Sequence, residues 1–275
     1  MKDLPVRIIV AVALLALLGL VLFFGGWVQV AVLGLFTAIA VFEMKAIFNA
    51  KGMKPFVIPA VILGAGMFAL MYKFNTLWLA AAFLLAFFAV AFERVLNKNR
   101  TNDDLVAALA ILAYPLPFFA CFGLIGFAQQ DYSRLALVCI FAGVCMADNT
   151  AYFVGSLMGK HKLCPAISPK KTVEGGIGGL IGGALGGVIA YFVQRLWSFT
   201  PAPLWVLIVI CFAAGLVGQV GDLFASTFKR WAGVKDYGNI FPGHGGIMDR
   251  LDSALFAAPV VYFALVIGLR LCFAF

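Results

Sequence analysis

Charge is scarce in this sequence and histidine nearly absent: 275 residues include 20 Lys and Arg, 12 Asp and Glu, and 2 His. With 64% hydrophobic residues, 12% charged ones and a mean hydropathy of +1.05, too few polar side chains remain to cover a water-soluble domain. Two isolated histidines, His161 and His244, exclude a histidine-rich metal site. The six cysteines show neither zinc nor redox spacing, and most fall in apolar runs, where they read as small buried hydrophobes. Short segments of strict apolar and polar alternation are missing too, which excludes a membrane β-barrel.

What is present is a succession of long apolar runs. A membrane helix needs about 20 such residues, and nine candidates meet that need: 6–24, 27–43, 55–72, 76–92, 104–127, 134–157, 176–197, 203–225 and 251–272. The fold class expected is therefore all-α, a polytopic integral membrane protein with about nine transmembrane helices. The first run lacks a small-residue cleavage site and reads as a span, not as a signal peptide. Span seven contains GGIGGLIGGALGG from Gly175 to Gly187, and small residues at this spacing let membrane helices pack backbone to backbone. It is expected to be an interior helix.

The loops orient the chain, because cytoplasmic loops hold the excess of Lys and Arg. Alternate loops collect Lys2 and Arg7; Lys45, Lys51 and Lys54; Arg94, Lys98 and Arg100; Lys160, Lys162, Lys170 and Lys171; and Lys229, Arg230, Lys235 and Arg250. The opposite side receives only Lys73, Arg134, Arg195 and Arg270. This pattern places the N-terminus in the cytoplasm and the C-terminus outside. The net charge of +8 then reflects topology and contact with membrane lipids, not a nucleic-acid partner. The chain reads as one transmembrane domain, 1–275, with spans one to four in 1–100 and spans five to nine, carrying the chemistry, in 101–275.

Three polar features stand out against this background. Asp148 falls in the middle of the sixth apolar run, where a carboxylate must be paired, bound to metal or facing water. It reads as a cavity wall, with Asn149 beside it and Tyr152 one turn on. The loop 160–176 carries Ser168, Lys170 and Lys171 just before a glycine-rich helix start, a combination that favours phosphate. The same lysines would also serve as plain topology signals.

The strongest feature is the segment Ser226–Asp252. Gln219, Asp222 and Ser226 share one helical face at the end of span eight, and Asp249 and Asp252 share one at the start of span nine. Carboxylates at two helix ends can hold a hard cation such as Mg2+, whose other ligands are waters and substrate phosphates. Lys229, Arg230, Lys235 and Arg250 supply cations for anionic oxygens. Between them Phe241–Gly246, with Gly245 and Gly246 and a phosphate contact for His244, forms a turn whose amides can approach a phosphate chain. These are the ingredients of phosphoryl or nucleotidyl transfer, which depends on positioning and charge neutralisation.

The run Ser226-x-Phe228-Lys229-Arg230, four residues, Lys235-Asp236-x-Gly238, two residues, Phe241-Pro242-x-His244-Gly245-Gly246-Ile247-x-Asp249-Arg250-Leu251-Asp252 resembles the signature of phosphatidate cytidylyltransferases, or CDP-diacylglycerol synthases. Ser168-Pro169-Lys170-Lys171-Thr172-x-Glu174-Gly175 and Ala147-Asp148 are similar to that family as well. The resemblance implies that CTP and phosphatidate give CDP-diacylglycerol and pyrophosphate with Mg2+. Asp222 and Asp249 would hold the metal and, with Lys229 and Arg230, form the catalytic set. Lys235, Arg250, Ser226, His244, Gly245 and Gly246 would bind substrate. Ser168, Lys170 and Lys171 would make a second phosphate wall, Asp148 an additional metal or cavity residue, and Asp252 a carboxylate behind the metal ligands.

A monovalent cation sharing the site stays open, and a homodimer is expected from the resemblance alone. The substrates place the site at the cytoplasmic face, and the compact chain, with no transit peptide, suggests a bacterial plasma (inner) membrane. Two rivals fit less well. A secondary transporter predicts inverted repeats, which are not seen, and a CDP-alcohol phosphatidyltransferase predicts a paired DG…AR…G…D…D motif, which is absent.

Overall fold

The structure, a computed structural model, describes residues 23–74, 76–127, 133–196, 202–241, 243 and 245–268, together with scattered positions between 12 and 21. The described chain is almost entirely helical: α1 Gly26–Asn49, α2 Ile58–Lys73, α3 Thr76–Leu96, α4 Asn102–Ala113, α5 Leu116–Phe127, α6 Ser133–Met158, α7 Val173–Leu196, α8 Leu204–Ala232 and α9 Met248–Val261. A π-helical stretch, Tyr262–Gly268, follows α9, just beyond Pro259, whose missing N–H disturbs the ladder there. One feature departs from the all-helical expectation. The loop between α6 and α7 folds into an antiparallel hairpin of β1 Lys162–Cys164 and β2 Ser168–Thr172, pairing Lys162 with Thr172 and Cys164 with Ser168.

Six described stretches are long and apolar enough to cross a membrane: α1, α3, the α4–α5 pair taken together, α6, α7 and α8. The protein is an integral membrane protein. Helix α2 is apolar but has only 16 residues, about 24 Å at 1.5 Å per residue. The first expected span and the end of the ninth lie outside the described residues. Span five is one apolar run but two helices, because the residue before Pro115 cannot stay helical; Tyr114 is extended at φ −151°, ψ 118°. Span eight runs on to Ala232, so Ser226, Lys229 and Arg230 stand on a helix and not in a loop. Its 29 residues measure about 43 Å, against a hydrocarbon core of about 30 Å.

The chain forms two compact units, residues 1–127 with 228–250, and residues 128–227 with 251–275. In the first, α1 and α2 meet through small residues: a Cβ on Gly34 would lie 2.8 Å from the Ala65 carbonyl, and one on Gly64 would strike the Thr37 methyl. The buried Thr37 hydroxyl donates to the Leu33 carbonyl at 2.7 Å, satisfying itself within its own helix. The start of α4 is fixed by a reciprocal cap, Asp104 N–H to Thr101 Oγ1 at 3.1 Å and Thr101 N–H to Asp104 Oδ2 at 2.9 Å.

In the second unit α7 lies between α6 and α8. Gly182 and Gly186 face α6, where added Cβ atoms would strike the Met146 and Ala142 carbonyls; Gly183 and Gly187 face α8 at Cys211 and Ile208. The expectation of an interior helix holds on those two faces only. The third, Ile177, Ile181, Leu185 and Ile189, is an exposed apolar stripe at four-residue spacing, suited to lipid. Cys139 and Cys211 are buried as expected, whereas Cys145 is exposed.

Replacing Gly186 by Leu should force α6 and α7 apart and cost about 3 kcal/mol, while Leu185→Ala on the exposed stripe should change stability by less than about 0.5 kcal/mol. Thermal unfolding in detergent checks this; equal melting of the two variants would contradict the close approach.

Candidate functional site

The second unit holds a cavity of about 440 Å3 whose walls come from α6, the hairpin, the start of α7 and α8. Its lining combines the polar residues Asp148, Lys170, Lys171, Gln219 and Asp222 with Ala151, Tyr152 and Leu163. Lys171 Nζ pairs with Asp222 Oδ2 at 2.5 Å, both side chains partly exposed, tying β2 to α8. Gln219 donates to the Gly176 carbonyl at 3.3 Å. The cavity can approach so close to the helices because α7 starts with glycines: a Cβ on Gly175 would lie 2.8 Å from the Ala151 carbonyl. The hairpin is anchored by Glu174, whose carboxylate accepts from the backbone N–H groups of Lys160 and His161 and meets His161 Nδ1 at 2.6 Å.

Asp148 and Tyr152 thus line a cavity together, as their spacing suggested. Asn149 does not join them; its amide donates to the Cys145 carbonyl at 2.8 Å. Ser168 belongs to β2 but not to the cavity lining, and Ser226 is buried in α8. Asp252 is buried as well, its Oδ1 accepting from its neighbour Ser253 N–H at 2.7 Å.

The remaining site residues belong to the first unit. Asp249, its side chain 3% exposed, accepts from Lys229 Nζ at 2.9 Å on Oδ1, and from Tyr237 N–H at 2.7 Å and Gly246 N–H at 2.9 Å on Oδ2. The Lys229 ammonium lies 5.4 Å from the centre of the Tyr237 ring, a cation–π contact. Arg230, Lys235 and Arg250 are exposed, and Arg230 donates to the Val234 carbonyl at 3.3 Å. The turn is closed by Phe241 N–H to Gly245 O at 2.9 Å, with Gly243 and Gly245 at φ 74° and 79°, where other residues are strained. His244 lies outside the described residues.

The residue that sequence reasoning missed is Glu43. It stands on α1, 5% exposed, and its two oxygens accept the N–H groups of Ile247 at 2.9 Å and Met248 at 2.8 Å. These are orphan donors at the start of α9, so a carboxylate two hundred residues away in sequence acts as the helix cap. Gly245 and Gly246 have a packing reason beside any binding role: a Cβ on Gly245 would sit 2.6 Å from Asp249 Oδ2, and one on Gly246 would collide with the Glu43 carboxylate. The missed signal was a carboxylate inside the apolar run VFEMKAIF, the same argument that singled out Asp148.

Among the described residues no three carboxylate, histidine or cysteine side chains gather into a ready cation site. Asp222 and Asp249 are hard oxygen donors of the kind Mg2+ prefers, and a cation held by one or two carboxylates takes its other ligands from water and phosphate. The donor chemistry therefore fits Mg2+ arriving with a nucleotide.

Each unit of this helical membrane protein thus carries a lysine–aspartate pair among its polar residues, and the comparisons say which family such a chain belongs to. The cytidylyltransferase family matches residues 5–267, and the chain belongs to that family. Its relatives include proteins named phosphatidate cytidylyltransferase: one from Staphylococcus saprophyticus is 36% identical over 83% of this chain and 87% of its own length. One from Staphylococcus aureus is 34% identical and one from Staphylococcus haemolyticus 33%, with the same shares covered.

Glu43→Ala would strand two buried N–H groups and should cost about 3 kcal/mol. Expected are a lower melting temperature and faster trypsin cleavage after the exposed Lys235. Wild-type melting with wild-type cleavage would show that the cap is dispensable.

Proposed function

We propose that this protein is a phosphatidate cytidylyltransferase, which converts CTP and phosphatidate to CDP-diacylglycerol and pyrophosphate in phospholipid synthesis. The observation that carries the reading is the Lys171–Asp222 ion pair in the wall of a cavity lined by both polar and apolar residues. A lysine already placed there can exchange a carboxylate for a lipid phosphate, while the apolar lining residues suit the glycerol and acyl region.

In this reading an oxygen of the phosphatidate phosphate attacks the α-phosphorus of CTP. The bond from that phosphorus to the oxygen bridging the α- and β-phosphates breaks, and pyrophosphate leaves with the electron pair. Lys229, Arg230, Lys235 and Arg250 neutralise phosphate charge, Ser226, Gly245, Gly246 and His244 contact substrate, and Ser168, Lys170 and Lys171 form the second wall. Mg2+, when bound, supplies further charge neutralisation; Asp222 and Asp249 are the carboxylates that would hold it, with Asp148 in support and Asp252 behind them.

CTP is cytoplasmic and phosphatidate lies in the leaflet, so the reaction belongs at the cytoplasmic face, and the staphylococcal relatives support a bacterial plasma membrane. Nine spans, a cytoplasmic N-terminus and an external C-terminus complete the reading. The family resemblance adds a homodimer and leaves room for a monovalent cation.

Membranes holding the protein should convert labelled CTP to a chloroform-soluble product only when phosphatidate is added. At saturating Mg2+, Asp222→Asn and Asp249→Asn should each lower turnover by about 100-fold; near-wild-type turnover removes the metal role. For topology, a single cysteine at Lys98 in a cysteine-free background should resist an impermeant thiol reagent in intact cells and react after lysis. Labelling in intact cells would reverse the orientation.

A further inference from the structure

The first unit contains a second cavity, of about 400 Å3, made by the end of α1, the α1–α2 loop and the α3–α4 loop. Three cationic residues line it, Lys45, Lys54 and Arg100, together with the Asn49 amide, and no carboxylate is among its described lining residues. Lys45 and Asn49 stand four residues apart on one face of α1, whereas Glu43, two residues before Lys45, points some 200° away around the helix to hold Ile247 and Met248. None of the residues assigned to the cytidylyl-transfer reaction lines this cavity.

The Arg100 guanidinium and the Lys54 backbone are held in place. Arg100 Nε is fixed on Glu93 Oε1 at 2.8 Å while the same guanidinium donates to the Lys54 carbonyl. The Lys54 N–H in turn donates to Asp104 Oδ1 at 2.5 Å, and Asp104 is part of the α4 cap. Loop and helix ends are thereby braced around the cavity, so closing on a ligand there needs little ordering. Apolar side chains near the same helix ends, Phe42, Ile58 and Leu96, are exposed at 52%, 58% and 79%. A basic notch next to apolar surface matches a phosphate carried on a hydrocarbon tail.

We infer that the Lys45–Lys54–Arg100 cavity is a phosphate-binding site separate from the reaction site. Its ligand is an anionic phosphate group, supplied either by the headgroup of an anionic membrane lipid or by free phosphate. Two lysines and a guanidinium provide the charge-assisted hydrogen bonds, and Asn49 adds a neutral donor. Bound there, the ligand joins the α1–α2 and α3–α4 loops through one anion.

The test is a binding measurement on the full chain in neutral detergent, using dioctanoyl phosphatidylglycerol, dioctanoyl phosphatidylcholine and inorganic phosphate as separate probes. The variants are Lys45→Glu and Lys54→Gln. Melting curves confirm that each is folded. The wild type should bind phosphatidylglycerol saturably, with phosphatidylcholine much weaker. Lys45→Glu should lose at least about 10-fold in affinity, and Lys54→Gln a smaller factor. Binding of inorganic phosphate with the same dependence on Lys45 would assign the site to free phosphate. Phosphatidylglycerol affinity unchanged in both folded lysine variants overturns the proposal.

Discussion

The two hydrogen bonds from the Glu43 carboxylate to the N-terminus of α9 set the arrangement of the first unit. A carboxyl group inside an apolar helix is costly unless something compensates it, and here the compensation is the start of another helix, with its orphan N–H groups. Once Ile247 and Met248 are fixed on Glu43, Asp249 is fixed too, one residue on. Asp249 then gathers Lys229, Tyr237 and Gly246. The glycines at 245 and 246 follow as a steric requirement, because the backbone must lie against two carboxylates with no room for a Cβ.

The second unit rests on a different constraint, backbone contact. Lipid gives helices no hydrophobic reason to associate, so packing must come from close approach, and the glycines of α7 allow this against α6 and α8 at once. That approach brings Asp148 of α6, the hairpin lysines and Gln219 and Asp222 of α8 around one cavity. The cavity is thus a product of glycine spacing as much as of its polar residues. A bulky side chain at Gly175 or Gly179 would act on it without any change in charge.

Much of this was legible in the sequence because it depends on composition and local order. Apolar runs give helices, the glycine repeat gives close packing, and an intramembrane carboxylate such as Asp148 marks polar ground. The parts that escaped depend on partners distant in the chain. Nothing near Glu43 says that its oxygens cap a helix starting at Met248, and nothing in KLCPAISPKKT separates a short hairpin from a loop, since its strands have three and five residues. The end of span eight was set too early because hydropathy marks where the apolar stretch stops, whereas the helix continues into polar sequence up to Ala232. Pro115 was visible, but within an unbroken apolar run its break in the helix did not alter the hydropathy that defined the span.

In both units a lysine proposed as a phosphate ligand rests on a carboxylate proposed as a metal ligand: Lys171 on Asp222, Lys229 on Asp249. The two assignments look competitive, since each pairing occupies both partners, yet electrostatics makes them consistent. In a chain this poor in charge, an unpaired ammonium or carboxylate near the bilayer would be severely penalised, and breaking one side of a buried pair costs far more than exchanging its partner. In the proposed reaction a nucleotide entering with its cation would offer that exchange: a lysine would meet a phosphate oxygen, an aspartate would hold the cation, and neither would be left uncompensated. Asp249 is the more fixed of the two, because its second oxygen is held by the amides of Tyr237 and Gly246. Asp222, on a partly exposed pair at a cavity wall, has more freedom to turn. The pairs in the resting protein are therefore compatible with the proposed chemistry, one buried and one partly exposed, each a pair of opposite charges that substrate could re-pair.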